Sequence, residues 1–261
     1  MEPVCRILET CGSTNEAARL LGEAGAPEGS WVSARLQTQG RGRLGRVWSS
    51  EPGNLFLSTI VRTPKPSHWT WVPLAAAVGL ARYLKTRFPD LQVQVKWPND
   101  LVTANGKLSG ILCESVGSSS GAFLIVGLGL NCLHAPQLSA TEGLTRHATS
   151  LTRETGTPVS ADAIRSDAAQ AILASVRSLA RGAEGAREIA AEYARLALLR
   201  PGMRIEWDTS DGRVLSGEVR GLGPSSELRV QAEAEPAGEQ ALYAEEIRIR
   251  AALKAVDESP A

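Results

Sequence analysis

Gly40-Arg41-Gly42-Arg43-Leu44-Gly45-Arg46-Val47-Trp48 sets three arginines and three glycines within seven residues and closes on a tryptophan. The glycines give the backbone access to conformations other residues avoid, so the segment reads as a loop and not as helix or strand. The guanidinium groups are permanent cations whose planar forks match carboxylate and phosphate. No acidic residue lies between Glu28 and Glu51 to neutralise them. A loop of this kind is built to meet an anion. Alone, it is equally an exposed basic segment that touches RNA or nothing.

Composition narrows the choice. The 28 basic and 28 acidic residues of the 261-residue chain cancel, so no global field draws the protein onto nucleic acid or a membrane. Anion attraction must be local. Hydrophobic residues at 43% and charged residues at 21% are ordinary for a globular protein with a sizeable core. Cys5, Cys11, Cys113 and Cys132 show no metal-ligand spacing, which points to reduced thiols and a cytoplasmic location. The N-terminus has no signal pattern, and the longest apolar run, Val72–Leu80, is too short to span a bilayer.

Outward from the loop, the pattern alternates strand and helix. Residues 4–8 predict a strand. Ser13-Thr14-Asn15-Glu16 reads as a capping box with Ser13 as N-cap and Glu16 reaching back, opening a helix with Ala17, Ala18, Leu20 and Leu21 on its apolar face. Trp31–Leu36 leads as a strand into the arginine loop, and Leu55–Val61 is a second strand rich in β-formers. Trp69–Phe88 has helical periodicity. Val93–Trp97 is a strand stopped by Pro98. Leu101–Thr103 and Leu108–Ser115 flank Asn105-Gly106, which suits a type I′ hairpin turn. Gly117–Gly121 is a flexible hairpin tip, Ala122–Cys132 a long apolar strand, and helices follow over Ser160–Arg181 and Glu184–Leu199. After Pro201-Gly202 come short strands at Met203–Trp207, Arg213–Arg220, Glu227–Gln231 and Ala241–Arg250, with a tight turn at Asp211-Gly212, fitting a small β-barrel.

Four segments share small residues, one or two polar side chains and an adjacent strand: Gly40–Trp48, Lys96-Trp97-Pro98-Asn99-Asp100, Gly106-Lys107-Leu108-Ser109-Gly110-Ile111-Leu112, and Gly127-Leu128-Gly129-Leu130-Asn131. Each is weak evidence singly. Together and in this order, with Ser13-Thr14-Asn15 and Gln37, they closely resemble the biotin–protein ligase (biotin–acetyl-CoA-carboxylase ligase) family over nearly the whole chain. The resemblance implies an α+β fold: a class II synthetase-like mixed sheet flanked by helices over residues 1–200, a small SH3-like β-barrel over 201–253, and a tail over 254–261. It implies an enzyme that joins biotin to the α-phosphate of ATP, then passes the biotinyl group to a lysine of a biotin carboxyl carrier protein. Mg²⁺ is expected alongside ATP, with no metal ligands identifiable.

The same resemblance implies residue roles. Ser13, Thr14 and Gln37 would hydrogen-bond the biotin ureido ring, with Gly40, Arg41 and Gly110 also on the biotin side; for Ser13, capping alone is the plainer reading. Arg43 would face the carboxylate and later the adenylate phosphoryl group. Arg46 and Lys96 would meet ATP phosphates, and Trp48 would pack near adenine. Lys107 would reach the carboxylate and α-phosphate together. Asp100 would orient the incoming lysine or a metal-bound water, and Asn99 would hold backbone or nucleotide. Asn131 would bond adenine or, in the plainer reading, tie strand ends. Family members that also bind DNA carry an N-terminal helix-turn-helix; only 12 residues precede Ser13, so a ligase without operator binding is expected. Gly12 stands where many members have an acid. Monomer and homodimer are both compatible, and no membrane contact is expected. A lipoate–protein ligase and a nucleic-acid-binding module using the arginine loop are the competing readings.

Overall fold

The computed structural model describes residues 1–117, 121–137, 147–209, 211–233, 238–243 and 248–253. Seven strands form one mixed sheet: β1 (Cys5–Cys11), β2 (Trp31–Gln37), β3 (Leu55–Val61), β4 (Gln94–Lys96), β5 (Asp100–Thr103), β6 (Gly106–Val116) and β7 (Phe123–Leu130). The order is β1-β2-β3-β7-β6-β5-β4, and only the β1–β2 pair is parallel. Helices α1 (Thr14–Glu23), α2 (Val72–Arg87), α3 (Leu151–Thr155), α4 (Ala161–Ser178) and α5 (Ala183–Leu196) flank it. The expected mixed sheet with flanking helices is therefore present.

Strand alternation assigns the helices to faces. Leu124, Val126, Leu128 and Leu130 of β7 join α2, α4 and α5 in the main core. Phe123 and Ile125, one residue out of phase, pack with Ala18 and Leu21 of α1 on the opposite face. The next two positions on that α1 face are Gly127 and Gly129. The face thus changes from bulky to bare along a single strand, and the bare half is where the cavity opens.

Three sequence expectations change. Ser13 has the extended backbone of an N-cap, but its side chain does not cap α1. The Thr14 N–H instead donates to Gln37 Oε1 at 2.8 Å, and Glu16 pairs with Arg19 instead of reaching back. The β5–β6 turn places Ala104 and Asn105 in its loop, with Thr103 opposite Gly106. Asn105 is not among the residues with positive φ, so the turn is not type I′. Gly106 has φ +136° because a Cβ there would lie 2.4 Å from the His147 carbonyl, to which Lys107 N–H donates. The C-terminal strand expected at 241–250 divides into two.

That C-terminal part is a five-stranded antiparallel sheet of β8 (Arg204–Asp208), β9 (Val214–Leu222), β10 (Leu228–Ala232), β11 (Gly238–Leu242) and β12 (Arg248–Leu253). Its order, β11-β10-β9-β8-β12, brings the last strand back beside the first, the small barrel-like meander expected. Ile205, Trp207, Val219 and Leu228 belong to the same apolar cluster as the main sheet. The tail expected at 254–261 and the centre of the Gly117–Gly121 tip lie outside the described residues.

Asn54 closes the end of β7. Its Oδ1 accepts from the backbone N–H groups of Cys132, Leu133 and His134, each at 3.0 Å, and its Nδ2 donates to the His134 carbonyl. Asn54 is buried, so Asn54→Ala strands several polar groups at once. The expected cost is about 2–4 kcal/mol, measured by urea denaturation.

Candidate active site

The cavity, about 390 Å³, lies on the α1 face of the sheet, between the N-terminus of α1, the glycine-bearing parts of β6 and β7, and the arginine loop. Gly110 and Gly129 are register partners, and a Cβ on either would run into the Trp48 indole, at 2.8 Å and 2.3 Å. Gly127 makes room for Asn15, whose Oδ1 would lie 2.0 Å from its Cβ. Three glycines in two strands thus open a slot that ordinary strand residues would fill.

The end at α1 is neutral and polar. Thr14 Oγ1 donates to Gln37 Oε1 at 3.0 Å. Ser58 Oγ stands 2.8 Å from Thr14 Oγ1 and 2.6 Å from Asn15 Oδ1. Asn15 Nδ2 donates to Glu114 at 2.6 Å, and Glu114 also pairs with Arg41. Ser50 Oγ fixes the Gln37 backbone at 2.8 Å. Since the Gln37 oxygen is committed twice, its amide N–H groups are what it offers a ligand.

The other end is charged. Asp100 holds Lys107 at 2.9 Å and reaches Lys96 at 3.8 Å, with all three side chains largely buried. Burial alone would raise the Asp100 carboxyl, but Lys107, Lys96 and Arg43 outweigh it and hold it below the usual carboxylate range. Asn99 Oδ1 accepts from Arg43 at 3.0 Å, while its Nδ2 donates to the Ile111 carbonyl at 2.6 Å. The Lys107 ammonium also lies 5.3 Å from the centre of the Trp48 ring. One carboxylate among three cations leaves this end net positive.

The arginine loop is a small closed turn. Gly42 N–H donates to the Arg46 carbonyl at 2.7 Å and Trp48 N–H to the Gly40 carbonyl at 3.0 Å. Residues 43–45 make a single 3-10 turn, with Leu44 at φ +55°. Gly40 allows the Trp48 carbonyl to come within 2.5 Å of where a Cβ would stand.

Of the residues singled out from sequence, Ser13, Thr14, Gln37, Arg41, Arg43, Arg46, Trp48, Asn99, Asp100, Lys107, Gly110 and Asn131 all line this cavity. Gly40 and Lys96 do not; they act behind it, through Trp48 and Asp100. Sequence reasoning missed Asn15, Ser58, Glu114 and Gly127 as site residues. Asn15 and Gly127 stood inside quoted motifs, whereas Ser58 and Glu114 carried no signal beyond a polar side chain in an apolar strand.

Asn131 meets both of its readings. Its Nδ2 donates to the carbonyls of Thr149 at 2.9 Å and Lys107 at 3.3 Å, tying strand ends together. Its Oδ1 is buried with no partner among the described residues, as is Trp48 Nε1. Both side chains line the cavity. Because two carbonyls fix the amide orientation, Oδ1 can only accept.

Asp100 supplies a pH test. A carboxylate whose folded pKa is lowered stabilises above its unfolded value, near ~3.9, and that contribution is lost as pH falls through the folded value. Wild type should exceed Asp100→Asn in unfolding free energy at neutral pH, with the gap narrowing below about pH 4. Chemical denaturation across pH checks this; a gap constant down to acid pH would exclude the assigned charge state.

The profile of the "Biotin/lipoate A/B protein ligase family" matches residues 9–131. The chain is 37% identical over 154 residues to a biotin--[acetyl-CoA-carboxylase] ligase of Paracoccus denitrificans, covering 58% of this chain and 63% of that protein. It is 34% identical over 137 residues to a Mycobacterium tuberculosis protein of the same name, covering 50% of each. The matched stretches thus span between half and two thirds of these relatives. Among solved structures it is similar to the Aquifex aeolicus biotin protein ligase in complex with biotin and ATP, with a TM-score of 0.77, 22% identity and coverage of 95% of this chain and 99% of that one. The Leishmania major biotin protein ligase in complex with biotin gives a TM-score of 0.63 at 25% identity, covering 94% and 100%. Residues 9–131 are thus similar to the biotin/lipoate A/B protein ligase family, and the chain over nearly its whole length has the fold of the solved biotin protein ligases.

Proposed function

We propose that this protein is an ATP-dependent biotin–protein ligase, a cytoplasmic enzyme that makes biotinyl-5′-adenylate and transfers the biotinyl group to a lysine of a biotin carboxyl carrier protein. The observation that carries this is the two-ended cavity: neutral hydrogen-bonding groups at α1, and at the other end the buried cations Lys96 of β4 and Lys107 of β6 around Asp100. Biotin has that form, a neutral ureido head joined by an apolar chain to a carboxylate.

In the first step a biotin carboxylate oxygen attacks the α-phosphorus of ATP. The bond to the bridging oxygen breaks and pyrophosphate leaves. Both reactants are anions, so the barrier falls chiefly by placed positive charge. Lys107 bridges carboxylate and α-phosphate, Arg43 takes the phosphoryl oxygens, and Arg46 and Lys96 balance the outgoing phosphates. Thr14, Gln37 and Ser13 hold the ureido ring, aided by Arg41 and by the backbone of Gly110, with Gly40 acting on the biotin side from behind, through Trp48. Trp48 covers the acyl chain and adenylate against water. Asn131 Oδ1 accepts from the adenine amino group. Mg²⁺, expected alongside ATP, would be held chiefly by the triphosphate and would offset its charge.

In the second step the carrier lysine amine attacks the acyl carbon, an amide forms, AMP leaves and the amine loses its proton. A carboxyl held this acidic is a weak base. Asp100 therefore acts by orienting Lys107 and attracting the incoming ammonium, and Asn99 fixes Arg43.

Incubation with ATP, Mg²⁺, biotin and an apo biotin-carboxyl-carrier domain should raise the acceptor's intact mass by one biotinyl group. No adduct, with lipoate attached instead, sinks the proposal. Lys107→Ala should lower biotin-dependent pyrophosphate exchange by about 100- to 1000-fold. Inosine triphosphate, which sets an acceptor against Asn131 Oδ1, should be used at least ~100-fold less efficiently than ATP.

A further inference from the structure

Two tryptophans drive their indole N–H groups into one turn of the C-terminal sheet. Trp97 Nε1 donates to the Ser226 carbonyl at 2.8 Å and Trp71 Nε1 to the Pro224 carbonyl at 3.0 Å. Ser226 Oγ donates back to the Thr70 carbonyl at 2.7 Å. Ser226 itself has φ +64°, a conformation few non-glycine residues adopt. Glu227 is buried, folds over Gly223, and receives Ser225 N–H at 2.8 Å and Arg229 Nε at 2.9 Å. The turn between β9 and β10 is thus internally braced, and its strained residue is the one that meets Trp97.

Trp97 stands just before the residues that arrange the cationic end of the cavity. Asn99 accepts from Arg43, and its backbone carbonyl accepts from Ile111 N–H at 3.0 Å. Asp100 holds Lys107 and Lys96. Only Pro98, with its fixed φ, separates Trp97 from Asn99, so displacing the indole carries through to both side chains. The neutral end hangs mainly on α1, β2 and β3, joined through Asn15 to Leu112 and Glu114 of β6.

We propose that the turn Gly223–Glu227 positions the phosphate half of the site, with Trp97 as the positioning residue. The C-terminal sheet then serves nucleotide handling without touching substrate. This rests on the nucleotide reading of the cavity.

The test compares Trp97→Phe with Trp71→Phe. Each removes one indole N–H bonded to this turn, but Trp71 is not joined to Asn99. In pyrophosphate exchange, Trp97→Phe should raise the ATP KM about 5- to 20-fold, the scale of one lost buried hydrogen bond, and leave the biotin KM within two-fold. Trp71→Phe should lower Tm comparably and change neither KM. Equal shifts in both KM values, or an ATP KM within two-fold of wild type, would overturn the proposal. If Trp97→Phe does not fold, Ser226→Gly, which tolerates the positive φ but loses the bond to Thr70, is judged by the same split. Hydrogen exchange gives a readout independent of turnover: the Ile111 amide should exchange faster in Trp97→Phe than in Trp71→Phe, and equal rates refute the joint. A wild type without ATP-dependent exchange activity would count against the nucleotide reading, while the hydrogen-exchange comparison still decides the joint.

Discussion

Three positions in two neighbouring strands must carry no Cβ, and the site follows from that steric constraint. Gly127 yields its space to Asn15, and Gly110 and Gly129 yield theirs to the Trp48 indole. A central strand such as β7 is otherwise selected for side chains that fill both faces, as Phe123 through Val126 do. Glycine there forfeits packing and costs conformational entropy, roughly 0.5–1 kcal/mol per position. What the fold gains is a cavity walled by rigid sheet and not by loops, so polar groups on β2, β3, β6 and β7 keep fixed separations.

The second constraint is electrostatic. A chain of zero formal charge gathers Lys96, Lys107 and Arg43 around one buried carboxylate. Without Asp100 these cations would repel each other in a poorly solvated place; with it they leave a net positive end. The arrangement separates two tasks that a uniformly basic surface would confuse. Long-range attraction for polyanions is absent, and anion affinity is confined to a cavity whose other end is neutral. That confinement also weighs against the arginine loop as a nucleic-acid contact, since Arg41 and Arg43 turn to Glu114 and Asn99.

Residues whose meaning lies in a local pattern were legible in the sequence. The arginine loop, the Lys96–Asp100 segment, Lys107 and Asn131 each sit in a run whose spacing is itself unusual, and of the site residues singled out in them all but Lys96 and Gly40 reach the cavity wall. Residues whose meaning lies across strands were not. Ser58 becomes important only because β3 is registered so that its hydroxyl meets Thr14 and Asn15, and Glu114 only because β6 lies beside α1. The capping box failed for the same reason: Glu16, its reaching partner, is taken by Arg19, and Gln37, more than twenty residues away, takes the Thr14 N–H. The Asn105-Gly106 turn was placed one residue late because nothing local announces the His147 carbonyl that Gly106 must clear.

The loop's own energetics make its closed form dependent on an anion. Fixing each loop residue costs about 1–2 kcal/mol of backbone entropy. Against this stand three backbone hydrogen bonds, an Arg41–Glu114 pair whose side chains are 48% and 37% exposed, a charge-assisted bond to Asn99, and partial burial of Trp48. Such an exposed pair returns at most about 1 kcal/mol, and a neutral hydrogen bond returns about the same. The closed loop is therefore held with little margin by the protein alone. An anion that engages Arg43 and Arg46 would add charge-assisted bonds at the dry end of the cavity, where each counts for most. Closure would then be strongest with the anion in place, coupling ligand binding to the exclusion of water.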